Sequence, residues 1–263
     1  MRVVLAFLFA VAALLPAAPA DAVSAWVTAA PRLTAADALS PVALVYRGPA
    51  ACDGCPEAAA RLLRSSPQHF VTRYVGPNEG LKLEPASFDG VTLYVQPGGD
   101  TTVRKADRLL GRAAYDTIRA FIVNGGHYLG ICQGAYLAGT DPGMGLLSPG
   151  NSWQYIKSKG ASTRSAKDTL VPVRWGHRKV MMFFQDGPYM TASGAAGERI
   201  LARYTNRRVA ALVRPFGLGR VAVVGPHPEA TPYWYRAAHL PNEAACGAVL
   251  GHKLIKVLMA PNP

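Results

Sequence analysis

The chain has 263 residues, half of them hydrophobic, and its 28 lysines and arginines against 16 acidic residues give a formal net charge of +12. One α/β domain can use this length, and the hydrophobic share suffices for a sizeable core. The basic residues are scattered along the chain, which argues against a nucleic-acid-binding module, where positive charge is concentrated in a patch. The charge indicates a solvated basic surface or, alternatively, a weak attraction to acidic envelope polymers.

The amino terminus has the pattern of a secretory signal peptide over residues 1–20. Arg2 supplies a positive charge, residues 3–15 are uninterruptedly apolar, and Ala18-Pro19-Ala20 forms a small-residue exit before Asp21. The apolar run is short for a membrane span, although an uncleaved anchor is the alternative. We therefore expect a secreted or extracytoplasmic protein whose mature chain, residues 21–263, forms a single domain without stable membrane insertion.

Predicted strands and helices alternate in the first half of the mature chain. The strands are predicted at 42–46, 69–75, 91–95 and 127–131, and the helices at 56–64, 113–123 and 133–138. Further strands are predicted at 169–175, 179–184, 209–213 and 220–224, followed by a final helix at 242–259. This order predicts an α/β fold with a mostly parallel sheet, helices on both faces and an antiparallel extension.

The clearest chemical signal is the sequence Gly130-Ile131-Cys132-Gln133-Gly134, placed where a predicted strand turns into a helix. This pattern is typical of a nucleophile elbow, in which the glycines allow a tight turn and the central residue is exposed in a strained conformation. A cysteine at that point faces the positive end of a helix, which favours the thiolate. The alternative is a small buried cysteine in a glycine-rich turn.

A thiol nucleophile needs a base that is itself oriented, and His227-Pro228-Glu229 supplies both groups. Residues two apart in an extended segment project to the same side, so Glu229 can hold the imidazole of His227. Taken alone, the tripeptide is equally well explained as a loop histidine beside a charge. Combined with the elbow, it predicts a Cys-His-Glu triad of Cys132, His227 and Glu229.

The turn Pro97-Gly98-Gly99 follows another predicted strand. Because glycine lets the backbone approach a ligand closely, the N–H groups of Gly99 and Gln133 can form an oxyanion hole, although an ordinary turn is the alternative. A polar break after an apolar strand places Asp186 where it can accept an amine or a hydroxyl group, or simply face solvent. Substrate contacts are expected from four residues: Gly98, Asp100, Tyr136 and Asp186.

These segments, in the order strand–PGG, strand–GICQG–helix and strand–GPHPE, resemble class I glutamine amidotransferases and their hydrolase relatives. YVQPGGD and GICQGAYLAG are most similar to the branch known as the biotin-protein ligase N-terminal domain, and the resemblance covers residues 42–235. The resemblance implies a flavodoxin-like sheet. It also implies Cys132 as nucleophile, His227 as base, Glu229 as its orienter, and Gly99 and Gln133 as the oxyanion hole.

The sequence departs from this family in two ways. Glutamine-hydrolysing members generally carry glutamine two residues after the second glycine of the elbow, where this chain has Tyr136. The Gly/Arg-rich adenylate loop of biotin ligases is not visible in the sequence, and we expect no second domain. We therefore expect neither true glutaminase activity nor biotin ligase activity.

Three further cysteines are Cys52 and Cys55, which form a C-x-x-C pair, and Cys246 in the predicted final helix. In an exported protein, Cys52 pairs with Cys55, or one of them pairs with Cys246. A redox role for the C-x-x-C pair is a further hypothesis. No second C-x-x-C or spaced histidine pair completes a zinc site, so we expect no metal and no cofactor.

The sequence favours an exported cysteine hydrolase or acyl transferase that acts on an amide-type bond through an acyl-enzyme. Its expected partner is a small-molecule or peptide amide, and no nucleic acid is expected. The alternative, motivated by Tyr136, is a non-catalytic binding protein on the same fold. His127, which precedes the elbow, is expected to be a packed residue rather than a second base.

Overall fold

The computed structural model describes residues 40–260, which lie in one compact unit, Leu39–Pro263. The predicted signal peptide at residues 1–20 lies outside the described residues, so it stays a prediction. Within residues 40–260, none of the helices combines the length and the apolar character that a membrane crossing requires.

The first half of the fold alternates strands and helices. Its elements are β1 (Val42–Tyr46), α1 (Cys55–Arg64), β2 (Val71–Val75), β3 (Val91–Gln96), α2 (Val103–Val123), β4 (His127–Ile131) and α3 (Gln133–Leu137). These strands pair in parallel, β2 with β1, β1 with β3 and β3 with β4. Short apolar runs such as the VALVY of β1 suit such strands, because both of their faces are covered by helices.

The second half is built mainly from antiparallel strands. Its elements are β5 (Ser152–Gln154), β6 (Thr169–Trp175), β7 (Arg178–Phe184), β8 (Pro188–Met190), β9 (Arg199–Tyr204), β10 (Val209–Phe216), β11 (Gly219–Val224), α4 (Pro232–Ala237) and α5 (Ala244–Leu258). The strand order across the sheet is β2-β1-β3-β4-β11-β10-β9-β6-β7, with β8 pairing to both β10 and β5. The predicted α/β fold, with parallel core strands, flanking helices and an antiparallel extension, is confirmed.

Three neighbouring strands bring the sequence motifs to one edge of the sheet. β4 lies between β3 and β11 and runs parallel to both, with Gln96 opposite Gly130 and Ile131 opposite Val224. The carboxyl ends of parallel strands meet at the same edge, where ligands bind in open α/β sheets. The turns after β3, β4 and β11 are therefore adjacent in space.

The core consists of two layers, one on each face of the sheet. In β1, Val45 packs in the layer that contains residues of α1 and α5, and its neighbour Leu44 packs in the layer that contains residues of α2 and α3. This alternation follows from the two-residue period of a strand. The sheet is therefore covered by packed side chains on both faces, and the edge at which the motifs meet is held between the two layers.

The structure differs from the predicted elements in several places. The helix predicted at 113–123 begins at Val103, where the Thr102 side chain accepts a hydrogen bond from the backbone N–H of Lys105 at 3.3 Å. Gly111, with φ of 76°, interrupts this helix and separates its first part from the part that was predicted. The prediction also misses β5, β8, β9 and α4. Arginines at positions 199 and 203 break the apolar pattern of β9.

Candidate active site

Cys132 occupies a sharp turn between β4 and α3. Its backbone lies at φ 50° and ψ −105°, a left-handed conformation that L-residues other than glycine rarely adopt. A Cβ atom at Gly130 would lie 2.6 Å from the carbonyl oxygen of Gly134, and one at Gly134 would collide with the carbonyl oxygen of Gln96. Both glycines of the elbow are therefore required by the close approach of β3, β4 and α3.

The elbow holds the thiol of Cys132 at the carboxyl edge of the sheet. The backbone N–H of Cys132 donates to the carbonyl of Val224 at 2.9 Å, and its Sγ lies 3.4 Å from the carbonyl oxygen of Gln185. Cys132 is unpaired with any other cysteine. Because α3 spans only five residues, its dipole is small. The helix dipole therefore contributes little at Cys132.

His227 and Glu229 form a buried pair directly after β11. Their side chains are 3% and 0% exposed, and Nδ1 of His227 lies 2.8 Å from Oε1 of Glu229. Burial by itself lowers the pKa of His227, but the charges of Cys132 and Glu229, together with the hydrogen bond to Glu229, outweigh it and raise that pKa well above its usual range. When Nδ1–H donates to Glu229, Nε2 is left as the acceptor; it is buried and has no hydrogen-bond partner among the described residues.

Main-chain and aromatic contacts fix the position of His227. Its backbone N–H donates to the carbonyl of Phe183 at 2.9 Å, so the end of β7 meets the end of β11 although four strand pairings separate them in the sheet. The rings of Phe183 and Trp234 lie 5.9 and 5.5 Å from the imidazole, both edge-on. The extension thus curls back over the site, and aromatic rings from β7 and α4 pack against the imidazole.

The turn after β3 lies against both other motifs. A Cβ atom at Gly98 would lie 2.9 Å from Cε1 of His227, and one at Gly99 would collide with the side-chain amide of Gln133. In the described residues, the N–H of Gly99 has no backbone acceptor. Gln133 is the first residue of α3, so its N–H has no acceptor within the helix. Among the described residues, both N–H groups predicted to form the oxyanion hole thus lack a backbone acceptor, and both residues line the same cavity as Cys132.

A cavity of about 450 Å³ opens in front of Cys132. Besides Cys132 and Gln133, its wall includes Gly99, Asp100, Tyr136, Gln154, Gln185 and Asp186. Of the four residues predicted to contact substrate, Asp100, Tyr136 and Asp186 line this cavity, whereas Gly98 lies behind it against His227. No lysine or arginine is among the described residues of the wall, so its charged side chains are the two carboxylates.

Asp186 is held in a defined position on the cavity wall. Nε2 of Gln154 lies 2.9 and 2.8 Å from its two carboxylate oxygens, and its backbone has a φ of 48°. The Tyr136 hydroxyl donates to the Asp186 carbonyl at 3.0 Å. Burial raises the pKa of Asp186, while Gln154 and the charge of Lys157 act in the opposite direction. The carboxylate is thus partly desolvated and faces the cavity.

The C-x-x-C pair lies immediately behind the turn after β3. Cys52 and Cys55 form a disulfide with a Cα–Cα distance of 5.4 Å, and Cys246 on α5 is a free cysteine. The N–H of Cys52 donates to the carbonyl of Gly98 at 3.0 Å, and a Cβ atom at Gly98 would lie 3.4 Å from Sγ of Cys55. The disulfide therefore supports the loop that contacts His227.

His127 lies away from the site. It begins β4, whereas Cys132 follows the other end of that strand, about 16 Å further along at ~3.3 Å per residue. Burial lowers its pKa, with the charge of Arg220 acting in the same direction. Among residues 40–260, no group of three or more histidine, cysteine or acidic side chains could hold a metal ion.

Comparisons with known proteins agree with this geometry. Residues 42–142 match the family model described as biotin-protein ligase, N terminal. Similar solved structures include that of PurLQS from Thermotoga maritima, with a TM-score of 0.54, 19% identity, and coverage of 84% of this chain and 98% of that chain. A glutamine amidotransferase from Thermotoga maritima has a TM-score of 0.56 at 11% identity, covering 84% and 99% of the two chains. One from Methylobacillus flagellatus has a TM-score of 0.55 at 12% identity, covering 86% and 98%.

At these identities the likeness shows the fold. The chain has the class I glutamine amidotransferase-like fold, and its first part matches the biotin-protein ligase N-terminal family model; the resemblance predicted from the motifs is confirmed. A comparison with curated proteins finds no match.

Two residues of the site are missed by sequence reasoning about function: Gln154 and Trp234. Gln154 lies outside the recognised motifs, and its contact with Asp186 depends on the curl of the antiparallel extension. Gln185 belongs to the polar break after β7 that predicts Asp186, and it lines the cavity as Asp186 does. Trp234 lies beside His227 because α4 follows the His-Pro-Glu segment within a few residues. The short spacing between His227 and Trp234 is the one feature of the sequence that could have predicted this contact.

Proposed function

We propose that this protein is an exported cysteine hydrolase that cleaves an amide-type bond through a Cys132–His227–Glu229 triad. The observation that carries the proposal is the strained cysteine at the end of β4, next to a buried histidine whose other ring nitrogen is held by a carboxylate. A left-handed backbone at a non-glycine residue is unfavourable by about 1–3 kcal/mol and is typical of functional sites. The proposal of export rests on the amino-terminal sequence pattern.

The proposed reaction begins with transfer of the Cys132 proton to Nε2 of His227. The thiolate sulfur then bonds to the amide carbonyl carbon, and the carbonyl oxygen becomes an oxyanion next to the N–H groups of Gly99 and Gln133. When the C–N bond breaks, Nε2 gives its proton to the departing amine. The products of this half are a free amine and an acyl group held on sulfur as a thioester.

Water completes the cycle. Nε2 of His227 takes a proton from a water molecule, the resulting hydroxide attacks the thioester carbon, and the C–S bond breaks to leave a carboxylic acid product and the thiolate of Cys132. Glu229 stabilises the imidazolium in both halves by accepting the Nδ1–H hydrogen bond and by its negative charge. An amine in place of water would make the same site an acyl transferase.

Two features of the cavity support a substrate other than free glutamine. Tyr136 stands where glutamine-hydrolysing members carry glutamine, and its hydroxyl is engaged by the Asp186 carbonyl. A free α-carboxylate would meet no lysine or arginine on the described wall and would face Asp100 and Asp186. We therefore propose a neutral or amine-bearing amide, of a small molecule or a peptide, as the substrate.

The test is labelling of the mature protein by a panel of amide- and ester-directed electrophiles, followed by intact mass measurement. We expect Cys132 to be labelled selectively and much faster than a free thiol, and the rate to fall sharply in His227→Ala. Cys132→Ala is the control for the labelled site, and Cys246→Ser removes the other free cysteine without touching the cavity. Labelling of Cys132 no faster than a free thiol, or independent of His227, would instead support the binding-protein alternative.

A further inference from the structure

Three exposed cations lie in one row across the antiparallel extension. Arg174 on β6 is directly opposite Lys179 on β7 and also directly opposite Arg203 on β9. Directly opposite residues of paired strands project to the same face of a sheet. Neighbouring strands are about 4.8 Å apart, so the row repeats positive charge at that backbone interval on one surface.

The extension also concentrates charge of one sign. Residues 169–184 contain three lysines and arginines, and residues 199–216 contain five, while neither segment contains an aspartate or a glutamate. One of these residues, Arg214, is buried and donates to the carbonyl of Leu147. The others stand on the strands and turns of β6, β7 and β9. Basic residues that are scattered along the sequence are thus brought together by the fold.

The row borders a cleft of about 490 Å³ whose wall is basic. It is lined by Arg174, Lys179, Arg203, Tyr204, Thr205 and Arg207. The guanidinium of Arg203 donates to the carbonyl of Arg207 at 2.9 Å, which ties the row to the β9–β10 turn. Arg207 has a φ of 67°, where glycine or asparagine would be the unstrained choice. The turn therefore presents a fourth cation in spite of backbone strain.

No carboxylate of the described residues neutralises this row. The ion pairs within residues 40–260 are those of Arg47 with Glu57 and Glu79 and of His227 with Glu229. Like charges directly opposite each other on neighbouring strands repel and destabilise a sheet. An anionic ligand laid along the row would remove that repulsion, which gives its binding a physical basis beyond simple net charge.

We propose that this row is a binding site for a linear polymer that carries phosphate groups but no bases. Three of the four cations of the cleft are arginines, whose planar guanidinium binds phosphate oxygens in pairs. A single-stranded nucleic acid would also need exposed rings on which its bases stack. The aromatic residue of the cleft, Tyr204, is buried, with its ring stacked on Tyr155 at 3.7 Å and its hydroxyl donating to Pro188. The wall therefore fits phosphate groups rather than bases.

The site lies apart from the cavity at Cys132. Lys179 stands near the beginning of β7, and Gln185 and Asp186 follow its other end, about 17 Å further along at ~3.4 Å per residue. A polymer held on the row would leave the cavity open. The site therefore would retain the protein on an anionic polymer without competing with an amide substrate, and it does not depend on the reaction proposed for Cys132.

The experiment is calorimetric titration of the protein with linear inorganic polyphosphate over a salt series from about 50 to 200 mM. The row variant carries Arg174→Gln, Lys179→Gln and Arg203→Gln; the matched control carries Lys105→Gln, Arg108→Gln and Arg112→Gln, three positions on the outer surface of α2. Each lost phosphate contact lowers the slope of log K against log salt by about 0.7–0.9. We expect the row variant to lose at least 10-fold in affinity and two to three units of slope, and the control less than 3-fold.

Two further arms of the experiment test the identity of the ligand and the role of the arginine guanidinium groups. Arg174→Lys with Arg203→Lys keeps the charge and should bind polyphosphate with intermediate affinity, because paired contacts are lost. Polyglutamate and oligo-dT should bind more weakly than polyphosphate to the parent protein. Equal losses in the row and control variants, or equal or tighter binding of polyglutamate or oligo-dT, would overturn the proposal. Unchanged Cys132 labelling and thermal melting would show that the row variant is folded.

Discussion

Replacing Glu229 by glutamine tests the proposed triad at the point where the structure is most specific. The substitution keeps the size of the side chain and an oxygen that can accept from Nδ1 of His227, 2.8 Å away, but it removes the charge. A hydrogen bond to a charged group contributes about 1.5–3 kcal/mol, against about 1 kcal/mol for a neutral one. The imidazolium should thus lose about 0.5–2 kcal/mol, which corresponds to about 2-fold to 30-fold in an equilibrium.

The sign of the effect follows from the pKa of His227. That pKa is raised well above its usual range in the folded protein, with Glu229 among the causes, so the stabilising imidazolium is present below the unfolded pKa and is lost as pH rises through the folded pKa. In Glu229→Gln we expect the imidazolium to titrate at a lower pH. We also expect the Cys132 labelling rate near pH 7 to fall by about 2-fold to 30-fold.

The measurements are nitrogen-15 NMR titration of the labelled histidines and electrophile labelling followed by intact mass. The matched control is Glu84→Gln, an exposed carboxyl before a short helical turn, which should change neither quantity. A folded Glu229→Gln protein with a labelling rate within 2-fold of the parent, and with an unmoved His227 titration, would refute the assignment of Glu229 as the orienting carboxylate.

Three further predictions concern the elbow, the cavity and the disulfide. Gly134→Ala forces a methyl group against the Gln96 carbonyl and should destabilise the fold by about 1–3 kcal/mol in chemical denaturation, whereas Gly80→Ala, where a Cβ has open space, should not. Asp186→Asn should reduce any preference of Cys132 for an amine-bearing electrophile over its N-acetylated counterpart by about 3-fold to 5-fold, as expected for a half-buried ion pair; an unchanged ratio would remove Asp186 from substrate recognition. Cys52→Ser with Cys55→Ser opens a four-residue loop and should lower the free energy of unfolding by about 2 kcal/mol. It should also slow Cys132 labelling because the Gly98 loop contacts His227, and an unaltered rate would separate the disulfide from the site.

The strands of the core and the motifs at their ends could be predicted from the sequence because each is a local signal. The apolar runs of β1, β3 and β4 and the glycines around Cys132 depend on neighbours in the chain, and they give both the element and its chemical role. The contact of His227 with the Gly98 turn follows almost directly, since β3, β4 and β11 are adjacent.

The rest of the site depends on long-range geometry that no local pattern carries. Gln154 meets Asp186, and Gln185 meets Cys132, because the antiparallel extension curls until Phe183 hydrogen-bonds to His227. A seven-residue strand such as β7 predicts its own hairpin, but not the bend of the sheet that brings its end to a turn four strand pairings away. The cavity wall therefore emerges only in three dimensions.

The distribution of charge also becomes visible only in three dimensions, and it bears on the function that we propose. In the sequence the lysines and arginines are dispersed, which favours a generally basic surface. In the structure, the register of the paired strands aligns Arg174, Lys179 and Arg203. The described cavity wall at Cys132, by contrast, has carboxylates and no cation. A uniformly basic surface would attract any anion equally, including an anionic substrate. The two signs lie at opposite ends of β7, whose stretch from Lys179 to Phe184 spans about 17 Å at ~3.4 Å per residue. This separation favours different ligands at the two places: a phosphate-bearing polymer on the row, and a neutral or amine-bearing amide at the thiol.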